Sequence, residues 1–205
     1  MFRNLTPVVR TLLFLNIAGF AAQNLLGPVV ESWFALFPLH ADERFGAPPF
    51  ELWQLVSYAF LHGSIPHLFF NMFALYMFGP ELERLMGARH FTLYYSVSVV
   101  GAALMQLTVL ELFDHSSSPT VGASGGIFGL LLAFGMAWPQ RRLMLLFPPI
   151  PMPAWLFVTL YGAAELLMGI FGTMQGVAHF AHLGGMLGGY LLIRYWRYQA
   201  LATRR

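Results

Sequence analysis

Stretches without a single Asp, Glu, Lys or Arg constrain this chain more than any other feature. They run over 11–30, 52–80, 91–110, 115–140, 143–164 and 166–193. Each matches or exceeds the roughly 20 residues that a helix needs to cross a hydrocarbon core. Only 10% of the residues are charged and 58% are hydrophobic, too little charge to cover the surface of a soluble domain. In lipid the backbone of each span must satisfy its own hydrogen bonds, which selects helices. A transmembrane barrel would need short alternating segments, and none of these runs alternates. The expected fold is an all-α polytopic membrane protein of six spans, about 9–29, 64–82, 89–112, 122–139, 152–171 and 176–196. No internal repeat divides it, so residues 1–205 are expected to form one domain.

All eleven basic side chains are Arg. Six spans put both termini on one side, together with Arg3, Arg10, Arg84, Arg89, Arg141, Arg142, Arg194, Arg197, Arg204 and Arg205; only Arg44 lies opposite. That bias places the termini in the cytoplasm. Arg3 and Arg10 ahead of an apolar run imitate a signal peptide. The run is longer than the usual apolar region and carries Asn16, Gln23 and Asn24, so it reads as a retained helix. No basic cluster is interleaved with stacking aromatics, which argues against a nucleic-acid partner. Cysteine is absent, so neither disulfides nor thiolate catalysis enter. The first outer loop, about 30–63, carries Trp33, Phe34, Phe37, Phe45, Phe50 and Trp53, suited to the headgroup region. The prolines at 148, 149, 151 and 153 forbid a continuous helix between the fourth and fifth spans.

Polar groups inside spans are costly and ask for a reason. Spans two, four and six all start at the outer face. His67 and Asn71 fall in the first turns of span two, Ser124 in the first turn of span four, and His182 about two turns into span six. At 1.5 Å per residue these groups share a depth within roughly 10 Å of the outer boundary. A serine at a helix start is ordinarily a cap. Here Gly122, Gly125 and Gly126 clear space around the hydroxyl and leave amide N–H groups open to a developing oxyanion. The same glycines form small-xxx-small pairs, Gly122/Gly126 and Gly125/Gly129, answered in span six by Gly184/Gly188 and Gly185/Gly189. Close packing of these two spans would bring Ser124 to His182, whose better reading is then a general base. His67 and Asn71, four residues apart on one face, both carry donors suited to an oxyanion. His179 reads as a structural group nearer water, and His62 as a brace for the preceding loop.

These segments carry a resemblance. Gly122-Ala123-Ser124-Gly125 resembles the GxSG nucleophile motif of the rhomboid intramembrane serine proteases. Ala178-His179-Phe180-Ala181-His182-Leu183-Gly184-Gly185 is similar to that family's last-span histidine segment, and His62-Gly63-Ser64-Ile65-Pro66-His67 with Asn71 to its second-span motif. Gly79, Glu83 and Gly87 fit the pattern that follows. The resemblance covers about residues 5–200 and implies the six-span bacterial form, a rhomboid-like helical bundle. It implies Ser124 and His182 as catalytic residues, an oxyanion hole near His67 and Asn71, and support from Gly122, Gly125, Phe128 and His179. It implies no cofactor and no metal, substrates that are single-span proteins, and a bacterial inner membrane with the active site opening to the periplasmic side. Two positions depart from it. Trp33-Phe34 stands where many members show Trp-Arg, and Phe128 stands where many place a Tyr against the catalytic histidine.

No carboxylate is expected to orient His182 in the manner of a soluble triad. Glu165, in the outer half of the fifth span, could orient a histidine, stay protonated or pair with an outer-loop group; steadying that span, which in family terms resembles the lateral gate for substrate, is the preferred role. The expected catalytic set is therefore a dyad whose imidazole is held by packing against Phe128. Water must reach Ser124 through a cavity lined by His67, Asn71, His179 and Gln175. Three rival functions are a transporter with a His/Glu proton relay, an inactive rhomboid-like binder of membrane segments, and a zinc site of His179, His182 and His67. The absence of HExxH weakens the last.

Overall fold

The structure is a computed structural model that describes residues 5–39, 48–114, 118–145, 149–172 and 178–202. Its long helices are α1 (Pro7–Leu26), α4 (Ile65–Met86), α5 (Ala88–Val109), α6 (Ser124–Ala137), α7 (Ala154–Phe171) and α8 (His179–Ala202). Between α1 and α4 lie the short helices α2 (Pro28–Phe34) and α3 (Gln54–Ser57). Strands β1 (Arg142–Met144) and β2 (Pro151–Pro153) pair antiparallel between α6 and α7, with Leu143 opposite Met152. Pro148 lies outside the described residues, while Pro151 and Pro153 stand in β2 rather than in a helix. Arg3, Arg44, Phe45, Gln175, Arg204 and Arg205 lie outside the described residues.

Three helical segments are long and apolar enough to cross a membrane on their own: Pro7–Leu26, Ala88–Phe113 and Ala154–Phe171. Helices α4 and α8 have the length, but Glu81, Glu83 and Arg84 end the first, and Arg194 and Arg197 the second. At 14 residues α6 is shorter than expected, about 21 Å at 1.5 Å per residue against a hydrocarbon core of about 30 Å. It is also the most enclosed helix, with Ile127, Phe128, Leu130, Leu131, Ala133 and Phe134 all buried. The outer faces remain apolar, as lipid requires: Phe14, Phe69, Leu160, Ile170 and Phe171 are all exposed.

The three residues of the segment after span two each have a physical task. Both carboxylate oxygens of the buried Glu83 accept the free amides at the start of α1, from Val8 at 3.1 Å and Val9 at 2.9 Å. Gly79 lets Val9 approach, since a Cβ there would lie 2.7 Å from a Val9 methyl. Gly87, at φ 79°, makes the turn from α4 into α5. The connection between α1 and α4 is tied down by bonds that do not involve an arginine. Trp53 Nε1 donates to Trp33 O at 2.8 Å, Ser57 Oγ to Phe34 O at 2.8 Å, and the Gln54 side chain accepts from Phe37 N at 3.2 Å. Trp33 and Trp53 also stack at 6.4 Å.

Helix α5 is the spine between α6 and α8. Its buried residues Phe91, Tyr94, Tyr95, Ser98, Val99, Ala102, Ala103 and Gln106 recur at helical spacing. Tyr94 Oη donates to Gly129 O at 2.8 Å, and Tyr58 Oη to Val99 O at 2.9 Å. The crossing of α6 and α8 is a glycine contact: a Cβ on Gly185 would lie 2.7 Å from the Gly125 carbonyl carbon. Most of the other glycines of these two helices also face α5. Gly126 meets Tyr95, Gly129 meets Ser98, and Gly184 and Gly188 meet Gly101. The expected pairing of spans four and six thus holds around Gly185, whose carbonyl oxygen would also lie 3.3 Å from a Cβ on Gly129, and α5 takes most of the other contacts.

Candidate active site

Ser124 opens α6, but its hydroxyl is not spent on capping: the N-cap is Ala123, and no side chain caps the helix. Ser124 Oγ lies 2.7 Å from His182 Nε2 instead. Gly122, two residues earlier, sits at φ 131°, where a side chain is disfavoured. A Cβ there would also lie 2.7 Å from His67 Cε1, so the glycine makes room for an imidazole beside the serine. On the facing helix, the His182 ring stacks on Phe128 with centroids 4.3 Å apart and planes 5° from parallel. The aromatic face expected there is present without a hydroxyl.

His67 stands in the first turn of α4, where Ser64 accepts from its backbone N at 3.2 Å and caps the helix. Asn71 is buried, and its Nδ2 donates to His67 O at 2.9 Å, one turn back on its own helix. A cavity of about 610 Å³ joins His67, Ser124 and His182 to the loops before α4 and α6, with Ser64, Ser118 and Gln106 among its walls. Its lining differs from the expected set. Neither Asn71 nor His179 is on its wall, and Gln175 lies outside the described residues. His179 is not the water-facing group expected; it is 5% exposed.

The larger departure concerns Glu165. Its Oε2 lies 2.8 Å from His182 Nδ1 and 2.7 Å from His179 Nδ1, and all three side chains are buried. The expectation of a histidine without a carboxylate partner is therefore corrected. A carboxylate does meet its second ring nitrogen, and it comes from α7. Sequence spacing could not reveal this, because the phase of α7 against α8 decides where Glu165 points. The available signal was a lone carboxylate in an otherwise uncharged helix. Gln106 on α5, an uncharged polar group inside a span, is likewise buried and stands on the cavity wall.

Glu165, His179 and His182 also bring metal-ligand atoms within 4.8 Å of one another. This differs from the zinc set of His179, His182 and His67. A tetrahedral zinc ion with bonds of about 2.0–2.1 Å keeps its donors about 3.3 Å apart. The 2.7 and 2.8 Å separations here are hydrogen-bond lengths.

The sequence pattern of the Rhomboid domain family matches residues 49–199. Over 139 residues the chain is 33% identical to Rhomboid protein 1, mitochondrial, of Saccharomyces cerevisiae, covering 67% of this chain and 40% of that protein. It is 34% identical over 142 residues to RHOMBOID-like protein 4 of Arabidopsis thaliana, covering 69% and 33%. It is 29% identical over 140 residues to Rhomboid protease GluP of Bacillus subtilis, covering 68% and 25%. The chain thus spans less than half the length of these relatives. The match takes in the segments that supply His67, Ser124, Glu165 and His182, and with it the chain belongs to the rhomboid family of membrane proteins.

Proposed function

We propose that this chain is an intramembrane serine endopeptidase that cleaves transmembrane segments of membrane proteins. The observation that carries the reading is the 2.7 Å contact between Ser124 Oγ and His182 Nε2 at the wall of a cavity. That distance suits proton transfer from hydroxyl to imidazole. As the Ser124 Oγ–H proton passes to His182 Nε2, Oγ bonds to the carbonyl carbon of the scissile peptide. The carbonyl oxygen takes the negative charge. His67 and Asn71 are assigned to stabilise it, with the open amides at the start of α6. Collapse breaks the C–N bond, and His182 gives its proton to the leaving amine. A water molecule then attacks the acyl ester with His182 again as base, which releases the acid and restores Ser124. No cofactor is required.

The proposed setting is six spans with cytoplasmic termini in a bacterial inner membrane, the cavity opening to the periplasmic side. Arginine placement supports the orientation. The substrates proposed are single-span membrane proteins, the class that the likeness to the rhomboid family implies. The test is a single-span reporter of known orientation, expressed in the same membrane. Cleavage is expected in the part of its span nearest the outer face, and none is expected with Ser124→Ala or His182→Ala. Wild-type cleavage by either variant would exclude the mechanism, and a cut near the inner face would exclude the orientation.

A further inference from the structure

The buried carboxylate on α7 has a position that neither packing nor solvation explains. Among the residues of α7, only Ala154, Val158 and Glu165 are buried. A charge on such a helix would sit more cheaply at its exposed ends than inside. Gly169 lets the face that carries Glu165 approach α8. Gly162, Glu165 and Gly169 are spaced three and four residues apart and share one face. A Cβ on Gly169 would lie 2.9 Å from Phe180 and 3.3 Å from His179 Cβ, and one on Gly162 would lie 3.4 Å from Met186. This small face seats α7 against α8, with the carboxylate in the middle of the contact.

We propose that Glu165 is a positioning residue for the His182 base, so that the hydrolytic set is Ser124–His182–Glu165 with His179 holding the carboxylate. The proposal rests on the assignment of Ser124 and His182 made above. When His182 Nδ1–H donates to Oε2, the lone pair of Nε2 is left facing Ser124 Oγ, which is the tautomer a base requires. His179 lies three residues before His182 on the same face of α8. It supplies a second Nδ1–H to the same oxygen, fixing the carboxylate and satisfying it inside the protein. The imidazole of His182 is then held on three sides: by Glu165 at Nδ1, by Ser124 at Nε2 and by Phe128 across its face. Because the carboxylate rides on α7, an α7 drawn away from α8 takes the orienting group with it.

The experiment uses the full chain in detergent micelles and a fluorophosphonate probe, with kinact and KI measured separately alongside the melting temperature. Glu165→Gln keeps the shape and can still offer a carbonyl oxygen to both histidines, but it removes the negative charge that stabilises the imidazolium formed at His182. It is expected to lower kinact at least about 100-fold while leaving KI within about threefold, by analogy with carboxylate-to-amide changes in other serine hydrolases. Glu165→Asp keeps the charge on a shorter arm and should fall between Gln and wild type. Wild-type kinact in either variant, folded, would reduce Glu165 to a clip between helices and overturn the proposal. If Glu165→Gln does not fold, Glu165→Asp decides by the same criterion. Labelling lost after EDTA and restored by zinc would assign the cluster to a metal and equally overturn it. Undiminished labelling of Ser124→Ala or His182→Ala would mean that the underlying serine–histidine reading has failed, a result separate from any change at Glu165.

Discussion

His62 is 2% exposed, and neither ring nitrogen has a partner among the described residues. It stands just ahead of α4, edge-on to His67 at 5.0 Å. Burial, aided by the nearby His67, pushes its imidazole down from 6.5 to about 4. Between those values the unfolded chain binds the proton and the folded chain does not, so acid favours unfolding. The stability that His62 contributes is fully present above about pH 6.5 and is lost as the pH falls toward 4. His62→Leu, of similar volume, should flatten part of the fall in melting temperature across that window. An unchanged slope would contradict this assignment. The place of His62 before the span suggested a brace; the bond to Gln23 Oε1 at 2.8 Å comes from its backbone N and not from the ring. Its unpaired ring was not legible, because nothing in a sequence shows which buried group lacks a partner. Glu165 poses the same problem: each residue turns a helix by roughly 100°, so knowing the span does not give the partner.

Glycine spacing marked the faces along which helices approach, and at one crossing it marked the right pair. Gly125 and Gly185 bring α6 onto α8 and so bring Ser124 to His182. Gly126, Gly184 and Gly188 were legible as small faces but not as contacts with α5, since the repeat is identical whichever neighbour fills it. The crossing can be tested directly. A Cβ at Gly185 would fall on the Gly125 carbonyl oxygen, a backbone atom that cannot swing aside. Gly185→Ala should therefore destabilise the protein by ~1–3 kcal/mol or more and cut Ser124 labelling sharply. Gly162→Ala is the control, because its Cβ would make ordinary contact at 3.4 Å with the flexible end of Met186; it should be tolerated. Melting temperature and probe labelling read both. Equal behaviour of the two variants would mean that the α6–α8 crossing does not set the site.

For the whole molecule, the charge-free runs located each long helix, and the prolines located the break before α7. The boundaries moved where local chemistry overrode hydropathy. Helix α4 runs on through Pro80 to Met86 because its end, through Glu83, is tied to α1. Helix α6 starts only at Ser124, because Gly122 turns the chain and its N–H bonds Tyr58 O at 3.0 Å. The consequence is a central helix, shorter than the hydrocarbon is thick, enclosed by longer ones, with its N-terminal serine recessed beside a cavity. That placement makes one measurement the most direct: the fluorophosphonate-treated protein, in membranes, is digested and its adduct mapped by mass spectrometry. The adduct should sit on Ser124 alone and should vanish in His182→Ala. An adduct on another residue, or one undiminished without His182, would contradict the assignment of nucleophile and base.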